Sequence, residues 1–295
     1  MPLRVGTRAS QLARAQALKV CSMLEEMGEE TEVVFISTAG DEQTGVPLHA
    51  IGGQGVFVRA LDDALVQGLI DIAVHSMKDI PAARPPGVVT SAILTRDSPA
   101  DFLVTYMELS EVKTIGTSST RRTAQFRRGF PSVTIGPLRG NVDTRLSKLR
   151  IGEYDAIVLA EAGLQRLSMT LPGYQMDPSE HVPSTNQGTI AVVSRTDSDI
   201  TDMLAKIDDP ATRIDTMLER RVMEEIGGGC FTPLGIYCKD RMMIAEVLSL
   251  EGDRDFRLER MVTNTEDAGI FGQEVREKAG ELIMEAYQRL GISHE

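Results

Sequence analysis

A carboxylate next to an amine, just past an apolar run, is the first arrangement in this chain able to do chemistry: Ile70 to His75 is followed by Ser76-Met77-Lys78-Asp79. In open α/β sheets ligands gather beyond the carboxyl ends of the strands, so polar groups there are placed to meet one. Beside Lys78, the Asp79 carboxylate can stabilise a developing cation or shuttle a proton. A surface ion pair in the turn before Pro81 accounts for the same two residues. A second arrangement, Gly116-Thr117-Ser118-Ser119-Thr120-Arg121-Arg122, puts small hydroxyl residues at the start of a helix. Free N–H groups and the helix dipole favour an anion there. Leu138-Arg139-Gly140-Asn141-Val142-Asp143-Thr144-Arg145 repeats the device, and Gly6-Thr7-Arg8-Ala9-Ser10 does so a third time. Helix capping explains each one singly; three together point to a ligand bearing several carboxylates or phosphates.

Gly227-Gly228-Gly229-Cys230 presents a thiol on a glycine turn, as a nucleophile or an attachment point or else as a small half-buried hydrophobe. Cys21, on the apolar face of a helix, and Cys238, in a strand, fit the hydrophobe reading, and reduced thiols are expected. His49, His75, His181 and His294 lack ligand spacing, so no metal site is expected. No GxSxG elbow, GxGxxG fingerprint or Walker-type loop occurs. The net charge of −12 speaks against nucleic-acid or anionic-membrane partners. Locally the sign reverses: between Thr117 and Arg150 stand Arg121, Arg122, Arg127, Arg128, Arg139, Arg145, Lys148 and Arg150 against the single acid Asp143. The planar guanidinium fork suits bidentate capture of carboxylate or phosphate.

These groups need a scaffold, and the chain's 295 residues suffice for more than one domain. Leu3 to Val5 reads as a strand, Ser10 as an N-cap and Leu12 to Met27 as a helix, followed by a strand over Glu32 to Ile36. Thr38 to Gly55 reads as a long loop and Phe57 to Gln67 as a helix. Past Thr95 to Pro99 the alternation restarts, with strands at Phe102 to Thr105, Thr114 to Gly116, Val133 to Ile135 and Ala156 to Ala160. Helices are expected after Ser119, over Val142 to Leu149 and over Glu161 to Leu167. Thr189 to Val193 is a strand able to return to the first unit, with Asp199 to Lys206 as its helix. From Ala211 a helix reaching Glu225, strands at Leu234 to Lys239, Met242 to Leu250 and Phe256 to Thr263, and a helix from Glu266 to Leu290 form a small α+β unit. The division predicted is residues 1–95 with 189–209, then 96–188, then 210–295. No apolar run approaches the roughly 18 residues of a membrane span, and with no leader pattern the expected location is the cytoplasm.

In order, Gly6 to Ser10, Thr38-Ala39-Gly40-Asp41, Gly52 to Phe57, Asp71 to Pro81 (DIAVHSMKDIP), Gly116 to Arg122 (GTSSTRR), Leu138 to Leu149 (LRGNVDTRLSKL), Tyr154 to Leu167 and Gly228-Gly229-Cys230 closely resemble the porphobilinogen deaminase (hydroxymethylbilane synthase) family. The resemblance runs past Cys230. It implies two periplasmic-binding-protein-like α/β lobes with mixed, mostly parallel sheets, plus a small C-terminal α+β domain. It further implies a monomer whose loop cysteine, Cys230, carries an acidic dipyrromethane through a thioether. Four porphobilinogens are added with loss of ammonia, and the tetrapyrrole is released by hydrolysis. Residue for residue, Asp79 is the implied catalytic carboxylate, with Lys78 and Arg8 in the same set. Ser10, Lys78, Asp79, Thr117, Ser118, Ser119, Arg121, Arg122, Arg139 and Gly140 would hold the cofactor, and Arg8, Ser10, Arg139, Arg145, Arg166 and Gln187 the substrate. The chain departs from the pattern at Gln54, where lysine is usual and Arg59 supplies a nearby charge, and at Asn186, where glycine is usual before Gln-Gly. A two-lobed receptor for an acidic small molecule is the competing reading, although a receptor has no use for Cys230 on a glycine turn.

Overall fold

The computed structural model describes residues 1–37, 56–81, 84–197, 199–227 and 232–291. The loop expected over Thr38 to Gly55, including Gln54, and the turn Gly228-Gly229-Cys230 lie outside the described residues. The chain divides into two compact units, one of residues 1–97, 165–169 and 188–213, the other of residues 98–164, 170–187 and 214–295.

In the first unit, strands β1 (Leu3–Thr7), β2 (Thr31–Phe35), β3 (Ile72–Ser76), β4 (Val88–Ile93) and β10 (Ile190–Arg195) form one sheet in the order β2-β1-β3-β10-β4. β1 runs parallel to β2 and β3, whereas β10 is antiparallel to both β3 and β4. The expected return of the segment near Thr189 to Val193 is thus realised by β10. Successive residues of β3 alternate between two cores, as the strand's period of two requires. Ile72 and Val74 face α1 (Gln11–Glu25), packing with Ala17, Val20 and Leu24. Ala73 faces α2 (Val56–Val66) with Leu61, Ala64 and Leu65. A strand covered on both faces reads as one apolar run, which is why the sequence betrays it.

In the second unit, β5 (Asp101–Thr105), β6 (Thr114–Gly116), β7 (Thr134–Gly136), β8 (Ala156–Ala160) and β9 (Gly173–Gln175) form a sheet ordered β7-β6-β8-β5-β9. Helices α3 (Thr120–Gly129), α4 (Val142–Arg150) and α5 (Glu161–Arg166) follow β6, β7 and β8 in the chain. The core here includes Leu103, Ile115, Phe126, Ala156 and Val158. A separate antiparallel sheet of β11 (Leu234–Lys239), β12 (Met242–Leu248) and β13 (Asp255–Met261) packs on α7 (Pro210–Ile226) and α8 (Thr265–Leu290) around Val222, Ile236, Val247 and Phe271. The fold is therefore α/β with two parallel-rich sheets and a small C-terminal α+β portion.

Strands β4 and β9 were not predicted, being an edge strand behind Pro85-Pro86-Gly87 and a three-residue edge. The helix expected over Asp199 to Lys206 is one turn, α6 (Thr201–Leu204), running into a 3₁₀ turn, Ala205–Ile207. It is cut short because Asp208 turns extended just before Pro210 opens α7. No described helix is long and apolar enough to cross a membrane.

Candidate functional site

The first unit brings two of the singled-out segments to one sheet end. β1 and β3 are parallel neighbours in the register Val5↔Ile72 and Gly6↔Ala73, so Arg8 and Ser10 leave the sheet beside His75 to Asp79. Ser10 caps α1, its hydroxyl accepting from the Ala13 N–H at 3.3 Å, and the Thr7 hydroxyl donates to the Ala13 carbonyl at 3.0 Å. After β3 the chain makes a 3₁₀ turn over Met77–Asp79, in which Met77 is buried and Lys78 and Asp79 are exposed. The Met77 N–H donates to the Thr189 carbonyl at 2.9 Å, and Gln16 on α1 donates to the Ser76 hydroxyl at 2.8 Å. His75 is buried, and its Nε2 has no hydrogen-bond partner among the described residues. Burial, then the charges of Arg84 and Arg8, lower its pKa to about 3, which keeps the imidazole neutral.

The second unit does the same with helix starts. β6 and β7 are parallel neighbours paired Gly116↔Gly136, so the turns into α3 and α4 leave the sheet at one end. Added Cβ atoms at Gly116 and Gly136 would lie 3.0 Å and 2.7 Å from the Tyr154 ring, so glycine is required for that ring to cover both strand ends. The Ser119 hydroxyl accepts from the Arg122 N–H at 3.4 Å, and the Asn141 amide oxygen from the Thr144 N–H at 2.9 Å. Gly140 has φ +109°, a conformation that glycine adopts without strain, and its carbonyl accepts from Arg145 Nε at 2.8 Å. Ser118 and Arg139 are exposed, Ser119 and Arg145 half-buried, and Thr117 buried. Burial, then the like charges of Arg122 and Arg139, lower the Arg145 pKa to about 10, so this cluster is cationic at neutral pH.

Arg121 and Arg122 turn out to be interior ion-pair residues. Asp101, 1% exposed, accepts from Arg121 Nη1 at 2.9 Å, Arg122 Nη2 at 2.7 Å and Gln187 Nε2 at 2.7 Å. Burial acts to raise the Asp101 pKa, and the two guanidiniums more than reverse it, holding the carboxyl well below the usual range. Arg121 Nη1 also donates to Gln125 and to the Val182 carbonyl, and Arg122 Nη1 to the Val158 carbonyl. Gln187 spends its amide further on the Pro99 carbonyl at 2.8 Å. In the first unit Arg166 is likewise engaged, donating to Asp97 at 2.8 Å and to the Gly188 carbonyl at 2.7 Å.

Asn186 resolves its own departure from the glycine pattern. It holds φ +60°, the left-handed region that asparagine tolerates best among residues with a Cβ. Its N–H donates to Glu219 at 2.6 Å and its side-chain amide to the Thr216 carbonyl at 2.8 Å. Sequence reasoning passed over Asp101, Glu219 and Glu246, acids that read as ordinary surface charge but are buried against partners distant in the chain. The arginine excess between Thr117 and Arg150 is a sequence signal that could have pointed to Asp101 and Glu246, which pair with Arg121, Arg122 and Arg128.

In each unit, then, polar and cationic groups project from the carboxyl ends of parallel strands: a carboxylate, an amine and a guanidinium in one, two helix N-termini with Arg139 and Arg145 in the other. Such donor sets bind carboxylates. Residues 3–203 match the family model described as "Porphobilinogen deaminase, dipyromethane cofactor binding domain", and residues 214–281 that described as "Porphobilinogen deaminase, C-terminal domain". A probable porphobilinogen deaminase of Methanosarcina acetivorans is 48% identical, covering 95% of this chain and 93% of its own. One from Archaeoglobus fulgidus is 43% identical over 94% of this chain and 99% of its own. The porphobilinogen deaminase of Acidothermus cellulolyticus is 40% identical over 99% and 94%.

Proposed function

The chain belongs to the porphobilinogen deaminase family, and on that premise we propose how its residues divide the work of joining porphobilinogen units, with loss of ammonia, into the linear tetrapyrrole hydroxymethylbilane. It is a transferase with a dipyrromethane-binding domain. The donor set fits that acidic group: exposed Arg139, half-buried Arg145 and the capped starts of α3 and α4 offer N–H groups and positive charge to acetate and propionate side chains. Bound, the dipyrromethane supplies the pyrrole carbon to which the next unit is joined. Cys230 holds it through a thioether.

Asp79 is the catalytic carboxylate. It hydrogen-bonds a pyrrole N–H of the substrate and stabilises the positive charge that develops as ammonia leaves. Lys78 and Arg8 offset the acidic side chains beside it, with the Ser10 hydroxyl. Thr117, Ser118 and Ser119 bind acidic groups through the helix start, whereas Arg121, Arg122 and Gln187 act by keeping that helix in place through Asp101. Arg166 acts through Asp97 and Gly188 in the same indirect way. The observation that carries this division is the exposed Lys78-Asp79 pair held between buried Met77 and Ile80 at the carboxyl end of β3. The reading includes three domains, residues 1–95 with 189–209, 96–188 and 210–295, in a monomer working in the cytoplasm, with no nucleic-acid or membrane partner.

Intact masses of the wild-type protein and Cys230→Ser, purified side by side, test the attachment. The wild type should exceed its chain mass by two linked pyrrole units and the variant should not; a variant that keeps the excess moves the attachment elsewhere. Asp79→Asn should still bind porphobilinogen but turn over at least about 100-fold more slowly. A near-normal kcat would remove Asp79 from the centre of the mechanism.

A further inference from the structure

Arg84 lies five residues beyond Asp79 in the chain and forms a two-pronged ion pair with Asp62 on α2: Nη2 to Oδ1 at 2.6 Å and Nε to Oδ2 at 3.1 Å. Asp62 is 1% exposed, and only 15% of the Arg84 side chain reaches solvent. Neither residue belongs to the anion-binding segments. Burial raises the Asp62 pKa, and the Arg84 guanidinium opposes that rise. Arg84 also lies close enough to His75 to help hold that imidazole neutral.

The pair's place in the chain gives it a use. Upstream, the Lys78-Asp79 turn is fixed by β3, which is hydrogen-bonded to β1 and β10, and by the Met77 N–H on Thr189. Within the turn, Met77 and Ile80 are buried in the core shared with α2, and the Ile80 N–H donates to the Met77 carbonyl at 3.2 Å. Downstream, the next charged side chain fixed to that helix is Arg84. Burial of Met77 and Ile80 holds the turn's backbone, the Arg84–Asp62 pair adds a fixed point further along the chain, and a misplacement of about 1 Å at a reacting group can lower a rate about 100-fold. Arg84 Nε and Nη2 both engage Asp62, and this two-point contact sets direction as well as distance.

We propose that the buried Arg84–Asp62 ion pair is a positioning device for the established reaction, clamping the downstream end of the turn that presents Lys78 and Asp79. The inference rests on the assignment of Asp79 made above. Arg84→Lys keeps the charge in the pocket but loses the fork, and the double variant Asp62→Leu/Arg84→Met replaces the pair with apolar groups of similar size. Each is measured as holoenzyme for kcat and KM, and for amide hydrogen exchange at Ile80 against the interior of β3. The expected result is a kcat about 10- to 100-fold lower with KM within about threefold, and Ile80 exchange faster by about tenfold while β3 is unchanged. Should the double variant not fold, Arg84→Lys gives the same readings alone. Unchanged Ile80 exchange overturns the clamp itself. Faster exchange with an unchanged kcat overturns the link between the clamp and catalysis, whereas the assignment of Asp79 itself stands or falls with Asp79→Asn.

Discussion

Replacing Asp101 by asparagine removes one negative charge from a site where two guanidiniums converge. Asp101 accepts from Arg121, Arg122 and Gln187 at 2.9, 2.7 and 2.7 Å, and is 1% exposed. Asparagine keeps the shape, yet it offers one acceptor oxygen and turns an N–H₂ towards donors. Removing one partner of a buried ion pair costs about 3–5 kcal/mol. The Arg122 guanidinium remains tied to the Val158 carbonyl, so a loss of about 3 kcal/mol is expected. Urea unfolding at pH 7 measures it. The chain has no tryptophan, so tyrosine fluorescence and far-ultraviolet circular dichroism serve as the two probes whose agreement tests cooperativity. The pH dependence has a definite sign. Asp101 is held ionised in the fold below the pH at which it protonates when unfolded, about 3.9. Its contribution is therefore complete above about pH 4 and is lost only as the pH falls through the lowered native value. The difference between wild type and Asp101→Asn should be flat from about pH 6 to 9 and shrink in acid. A loss below about 1 kcal/mol at pH 7 would refute the claim that this carboxylate organises the interior of the second unit.

Asn186→Ala should destabilise by about 1–3 kcal/mol, from left-handed backbone strain and the lost bond to the Thr216 carbonyl, and Asn186→Gly by less. Equal melting temperatures for the two variants would contradict that account. Arg139→Leu, at an exposed position, should raise KM or weaken cofactor loading roughly tenfold without altering the melting temperature, and unchanged KM and loading would exclude it from acid binding. His75 should remain neutral from pH 5 to 8 by nitrogen-15 chemical shift, since its pKa is lowered to about 3 by burial and by Arg84 and Arg8. Its share of stability is complete above about pH 6.5 and declines as the pH falls towards 3. A titration near pH 6.5 would refute the burial argument.

Much of the site was legible because its signals are local. Ser10, Ser119 and Asn141 cap the helices that follow them, and capping acts over three residues. The run from Ile70 to His75 announced a strand covered on both faces, which forms over Ile72–Ser76. The same locality hid the partners of the arginines: nothing near Arg121 in sequence distinguishes it from Arg139, yet one is buried on Asp101 and the other exposed.

By itself the sequence determined the alternation of strands and helices, the caps and the Lys78-Asp79 turn, since these depend on hydrophobic period and on bonds between near neighbours. Tertiary structure alone decided which charges face inward. Gln187 reaches Asp101 across 86 residues and Arg128 reaches Glu246 across 118, and no local pattern marks such pairs, because desolvation is set by what packs around a group. The conformation at Asn186 was settled in the same way: its left-handed backbone persists because Glu219 and Thr216, on a helix that begins 24 positions further along the chain, accept its two donors.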